Sequence, residues 1–188
     1  MKRVFGLTFL ILVIFFLWAD PSWTTERRIK DGAASIPSSL SLYLRDHLPD
    51  LEILSKEYAL QEIIDFFESE KIKQPSPFAC SGDFNGDKLQ DFALLMRDKT
   101  KETSALLAFH KTRQQTYVHY VLEQGGEIKS GQKIGEYLIC EKPGMKRDYE
   151  GVPFKKLRNN SITVGIWEKA SVLYYFENNQ YKSVVTSD

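Results

Sequence analysis

The sequence predicts an α+β fold, with two N-terminal amphipathic helices followed by a mainly antiparallel β-sheet of about six to eight strands. Three observations predict it. Before residue 75 the apolar residues recur at helical spacing, and after Phe78 they change to strand spacing. Gly125-Gly126, Pro143-Gly144 and Asn178-Asn179 punctuate the second part as turns do. A chain that is 43% hydrophobic and 27% charged has the composition of a globular protein able to bury its own core.

The first 19 residues stand apart. Lys2 and Arg3 precede an almost unbroken apolar run from Val4 to Trp18, and Asp20-Pro21 ends it. The run falls short of the roughly 20 residues that span a bilayer comfortably. It predicts a signal peptide cut after Ala19, or an N-terminal anchor where it is retained. Either way the positive end stays cytoplasmic and the body is exported, to a periplasmic or extracellular position. Membrane contact is expected only through that segment, residues 4–18, when it is not cut. Residues 20–35 are polar and aperiodic and read as a tether to a single domain over residues 36–188.

The first helix is expected over Ile36–His47, where Leu40, Leu44 and Leu48 recur every fourth residue beside Tyr43. Pro37 suits a first helical position and Pro49 stops the helix. Ser55 is placed to cap a second helix, Lys56–Lys71, whose apolar face is Leu60, Ile63, Ile64, Phe66 and Phe67. Glu57 and Glu62 near its start and Lys71 at its end match the helix dipole. Strands are expected at Phe78–Gly82, Asp91–Arg97, Ser104–Lys111, Thr116–Leu122, Glu136–Cys140, Ser161–Trp167, Ser171–Glu177 and Gln180–Val185. Asn178-Asn179 reads as a two-residue hairpin turn, because Asn tolerates positive φ.

Charge and cysteine bound the function. Lys+Arg and Asp+Glu total 25 each, which argues against a nucleic-acid binder. Cys80 and Cys140 form an even pair in a chain expected to be exported, so a disulfide between them is expected. Closing that loop would contribute about 4 kcal/mol in the chain-entropy account.

One motif carries chemistry. Oxygen-bearing side chains fall at Asp83, Asn85, Asp87 and Asp91, and the carbonyl of Leu89 can add another donor. Alternate residues of a tightly curled loop can point at one centre. Hard oxygen donors in that number suit Ca²⁺, and the absence of His or Cys from the loop disfavours a softer metal. The spacing resembles the calcium loop of FG-GAP and VCBS repeat proteins, the integrin-like family, with pattern D-x-N-x-D-G-x-x-D and a following apolar strand. The resemblance covers Ala79 to Met96. It implies Asp83, Asn85, Asp87 and Asp91 as side-chain ligands, Leu89 as a backbone ligand, and Phe92-Ala93-Leu94-Leu95 as the strand. Lys88 departs from the pattern, which has Gly there. A left-handed backbone at Lys88 would cost on the order of 1 kcal/mol, and its ammonium opposes a cation. An EF-hand would want an acidic twelfth position, which is Leu94, and a propeller would want the motif repeated. The expected ion is a single, structural Ca²⁺.

Other signals are weaker. If Gln114-Gln115 is a two-residue turn, His110 faces His119 across two strands and the pair could hold a borderline metal; two half-exposed strand residues is the plainer reading. Residues Glu141–Arg158 read as a long irregular loop with a surplus of three positive charges, a solvated loop by default or a docking surface for an acidic partner or anionic lipid headgroup. No G-x-S-x-G, H-E-x-x-H, P-loop or G-x-G-x-x-G is present. The expectation is an exported, non-enzymatic, calcium-stabilised domain acting by protein–protein interaction with an unidentified protein. The alternative is a cell-envelope hydrolase using a carboxylate pair away from Asp83–Asp91.

Overall fold

The computed structural model describes residues 28–31, 34–74 and 76–187, with side chains from Ile36 onward. The expected leader and the first part of the tether lie outside the described residues. Strand β1 (Arg28–Asp31) pairs antiparallel with β2 (Ala34–Pro37), so the end of the expected tether includes paired strands. Helix α1 (Ser38–His47), strand β3 (Leu51–Ile53) and helix α2 (Gln61–Ser69) follow. Next come β4 (Ala79–Gly82), β5 (Asp91–Asp98), β6 (Thr103–Lys111), β7 (Tyr117–Glu127) and β8 (Glu136–Glu141). The chain closes with β9 (Gly144–Arg147), β10 (Pro153–Leu157), β11 (Ser161–Ile166), β12 (Ala170–Glu177) and β13 (Gln180–Ser187).

The architecture corrects the α+β expectation. The protein is mostly β, 51% strand against 15% helix, and all its named strand pairs are antiparallel. The helices do not form a block of their own, because strand pairing claims residues on either side of them. Ile36 belongs to β2, so α1 begins after Pro37. The expected second helix breaks in two. Lys56–Tyr58 makes a short 3₁₀ turn, and the backbone of Tyr58 and Leu60 then hydrogen-bonds Ile134. Ala59 is fully buried in that bridge, which wins over its helix propensity, and α2 starts only at Gln61.

Sheet one has the order β3-β5-β6-β7, with β4 also pairing β5 on the side where β3 lies. Sheet two has the order β13-β12-β11-β8. They form a sandwich with a third layer, α1, on the outer face of sheet one. The alternation of β5 sorts between the two sides. Phe92, Leu94 and Met96 join Leu40 and Leu44 of α1, while Ala93 and Leu95 join Leu138, Ile162 and Val164 of sheet two. With both faces covered, all eight residues of β5 are buried, which accounts for a near-continuous apolar run where a one-sided sheet would alternate polar and apolar. Cys80 of β4 and Cys140 of β8 stand at disulfide distance, Cα–Cα 5.5 Å, tying sheet one to sheet two.

Two local expectations also change. The β6–β7 connection is five residues, 112–116, with Gln115 at φ +63°, not a two-residue turn. The register moves by one, His110 pairs with Val118, and His119 pairs with Phe109. The two histidines therefore face opposite sides of the sheet and share no site. Residues 141–158 are not irregular: β9 and β10 form a hairpin with its own two-stranded sheet.

Candidate functional site

The loop between β4 and β5 is built by its own side chains. Asp83 accepts hydrogen bonds from the backbone N–H of Gly86 (2.7 Å) and of Lys88 (3.0 Å), one on each carboxylate oxygen. Asn85 Oδ1 accepts from Asp87 N–H, and Asp87 Oδ1 accepts from Leu89 N–H. Asn85 Nδ2 also donates to Asp87 Oδ2. The Asn85 and Asp87 bonds to N–H groups two residues on close Asx turns, the Asp83 carboxylate spans the curl, and together they bend the chain through Gly86 at φ +85° and Lys88 at φ +69°. Lys88 thus adopts the left-handed backbone whose cost the sequence raises as a condition.

Two anchors hold the curl onto the sandwich. Asp91, with no solvent exposure, lies beneath the loop, where its Oδ2 accepts from Phe84 N–H (2.9 Å) and its Oδ1 from Lys111 N–H (2.9 Å). Burial pushes this carboxyl up to about 7; the two N–H donors oppose the shift and the charges of Asp87 and Asp83 add to it. The second anchor is the connection before β11. Asn160 Oδ1 accepts from Asp83 N–H, and Asn160 N–H donates to the carbonyl of Asp83. A Cβ on Gly86 would meet Asn159 Oδ1 at 2.8 Å, so glycine there serves both the backbone sign and the close approach. Asn159 and Asn160 escaped the reading of the sequence, since two amides ahead of a strand look like any turn.

Beneath the loop, Phe84 is fully buried and sits near His110, whose Nε2 bonds Tyr181 Oη at 2.7 Å. The rings of Tyr120, Phe176 and Tyr181 enclose the imidazole. Burial lowers the His110 pKa to about 4, against the opposing pull of Asp87 and Asp83. His110 is a packed core residue.

The expected donors thus occupy one loop, but they do not form a closed cage. Among the described residues, no group of three or more His, Cys, Asp or Glu side chains comes together so as to hold a metal ion. Asp83, Asn85 and Asp87 turn to the loop's own N–H groups, and Asp91 is turned under it. The donor chemistry still suits a hard cation, because every side chain is an oxygen ligand and an oxygen that accepts one N–H keeps a second lone pair.

Beside the loop lies an open groove of about 520 Å³, bordered by Asn85, Lys155, Arg158, Asn159, Tyr175 and Glu177. A second feature bears on carboxylate chemistry. Glu136, its Oε2 buried without a partner, and Glu123 line a cavity of about 40 Å³ between the sheets. Burial and the charge of Glu123 raise the Glu136 pKa, and Ser104 opposes the shift. The cavity has room for a water or two and none for a sugar ring.

Comparison of the chain with protein-family models, with curated proteins and with solved structures returned no match.

Proposed function

We propose that the protein is an exported, non-enzymatic domain that takes one structural Ca²⁺ at the Asp83–Asp91 loop and acts by contact with another protein. The carrying observation is the loop itself. Its curl puts four oxygen-bearing side chains on one short turn, with Lys88 in the left-handed conformation at the position where the FG-GAP and VCBS pattern has glycine. Asp91 supports the reading as a buried carboxylate with like charges for neighbours, a setting in which a cation would offset the repulsion. The apolar run at Val4–Trp18 supports export, and the pairing of Cys80 with Cys140 suits an oxidising compartment.

Asp83, Asn85, Asp87 and Asp91 would hold the ion, with the Leu89 carbonyl. Its chemistry there is charge neutralisation, which makes the loop a clamp on the start of β5. The proposal requires Asp83, Asn85 and Asp87 to turn from the loop's N–H groups, and Asp91 from its bonds to Phe84 and Lys111, toward a common centre. Binding free energy then becomes folding free energy.

The test is thermal unfolding in chelator and in millimolar Ca²⁺. For a dissociation constant near 10⁻⁴ M, 1 mM Ca²⁺ stabilises by about 1.4 kcal/mol, a rise of several degrees in Tm. Asp87 is exposed, so Asp87→Asn should fold and lose most of the rise. A melting curve indifferent to Ca²⁺ up to several millimolar would end the calcium reading.

A further inference from the structure

The β9–β10 hairpin sorts its charges between two faces. Register places Lys146 opposite Lys155 on the inner face, and Met145 opposite Lys156 and Arg147 opposite Pro153 on the outer one. The inner cations are satisfied. Lys146, buried, donates to Glu141 Oε2 at 2.5 Å and to the carbonyl of Lys142. Lys155 pairs with Glu177 and lies 5.0 Å from the centre of the Tyr175 ring. On the outer face Arg147 and Lys156 are exposed, and among the described residues neither pairs with a carboxylate.

Apolar side chains stand among these outer cations. Met145 is 57% exposed, Tyr149 59% and Val152 51%, three of the most exposed large hydrophobic residues in the structure. Tyr149 and Val152 belong to the turn that joins the two strands, and Met145 stands on β9 opposite Lys156. The turn is tied by its own hydrogen bonds. Asp148 Oδ1 accepts from the N–H groups of Glu150 and Val152, Asp148 N–H donates to the carbonyl of Val152, and Arg147 Nη1 donates to the carbonyl of Gly151 at 2.6 Å. So the exposure comes with a fixed turn, and no loose loop is needed to explain it. One acidic side chain, Glu150, is exposed on the tip and accepts from Tyr149 Oη.

From this arrangement we infer that the outer face of the β9–β10 hairpin docks on an anionic membrane surface, with Tyr149, Val152 and Met145 entering the headgroup region and Arg147 and Lys156 meeting lipid phosphates. Charge complementarity selects the occupant. Four cations of the segment, Lys142, Arg147, Lys156 and Arg158, are left without carboxylate partners among the described residues, while the chain as a whole has no net charge. Cations that flank a few apolar and aromatic side chains match the interface of an anionic bilayer. A narrow two-stranded tip suits entry between headgroups. It offers far fewer residues than the roughly 20–30 that each side of a stable protein interface uses. The inference goes beyond the calcium reading and does not depend on it.

The test is co-sedimentation of the full chain with phosphatidylcholine vesicles, with and without phosphatidylglycerol, at low and high salt. Binding is expected to rise with phosphatidylglycerol and fall with salt. Arg147→Gln and Lys156→Gln should each weaken it about five-fold. The charge-neutral double variant Tyr149→Ser, Val152→Ser should lose most of the binding to phosphatidylglycerol vesicles, and Glu150→Gln should strengthen binding. All these positions are exposed, so an unchanged melting curve confirms that the variants fold. Binding through the N-terminal run Val4–Trp18 and its flanking Lys2 and Arg3 would ignore all these substitutions, and that result overturns the inference. Equal binding to polyglutamate, indifferent to the Tyr149 and Val152 changes, would also overturn it and assign the face to acidic protein.

Discussion

Lys88 and His110 show how single residues carry the tension in this site. Lys88 holds φ +69°, where a Cβ crowds the backbone, because Asp83 fixes its N–H from the other side of the turn. Glycine removes that crowding but adds freedom to the unfolded chain. Lys88→Gly should therefore stabilise the calcium-free protein modestly, by up to about 1 kcal/mol. Under the calcium reading it should also tighten binding, since an ammonium leaves the loop; chemical denaturation in chelator separates the two effects. His110 has the opposite character: its packing is good and its charge is forbidden. Its folded pKa, about 4, lies below the ordinary value of 6.5. The unfolded chain thus takes the proton first, and the residue's contribution to stability is complete above about pH 6.5 and lost as pH falls toward 4. The groups facing the ring are Tyr120, Tyr181 and the charges of Asp83 and Asp87. Asp91 titrates in the same window with the opposite sign, so the raw slope of the protein hides both. The informative quantity is the difference between the wild type and His110→Phe. It should change with pH by up to about 1.4 kcal/mol per unit between pH 4 and 6.5, and stay constant above. A difference independent of pH would show that folding leaves the His110 pKa where it is in the unfolded chain.

At the scale of elements, what could be read from the sequence depended on whether a segment's partners were local. The strands β4, β5, β6, β7, β8, β11, β12 and β13 were visible because each carries a strand-period or continuous apolar run between turn residues, and Asn178-Asn179 makes its turn with φ +52° and +62°. β3 was not visible. Three residues have no period, and Leu51–Ile53 are extended only because the edge of β5 at Met96–Asp98 is free to receive them. The second helix was over-read for the same reason, since Ala59 and Leu60 fit a helical face until Ile134 supplies a strand partner from 74 positions away. The hairpin β9–β10 was read as a loop because its pattern is cationic on both faces, and only the placement of Glu141 and Glu177 reveals which face is inner. The calcium-type loop divided along the same line. Its turn geometry is local, and the left-handed backbone at Lys88 was legible as a condition. The inward turn of Asp91 is set by Phe84 and Lys111, and the docking on Asn159 and Asn160 comes from 75 residues downstream, so neither had a signature in the motif.

At the scale of the whole molecule the question is what holds the two sheets together. Sheet one has a second apolar face against α1, so part of its core survives without sheet two. Sheet two is covered on its outer side at one end, where Phe66 and Phe67 of α2 pack on Tyr137 and Trp167, and its inner face depends on the cluster around Phe78, Leu95, Leu106, Leu138 and Ile162. Two polar ties cross that cluster, His110 to Tyr181 and Tyr174 Oη to Glu123 at 2.6 Å. The covalent tie is Cys80 to Cys140, placed at the β4–β8 side of the sandwich, while the polar ties involve β12 and β13. Opening the covalent tie frees a 60-residue loop in the unfolded chain, which the chain-entropy account values at about 4 kcal/mol. Alanine at both positions removes two small sulfurs, one buried and one half-buried, so little packing is lost. The paired variant Cys80→Ala, Cys140→Ala should therefore fold with the same sheets and unfold at lower denaturant, by about 3–5 kcal/mol. Because sheet one keeps α1, the loss should fall first on sheet two. Hydrogen exchange should show faster opening of β11 and β12 than of β5 and β6 in the variant. If both sheets lose protection equally, the sandwich is one cooperative unit and the tie merely raises its stability as a whole.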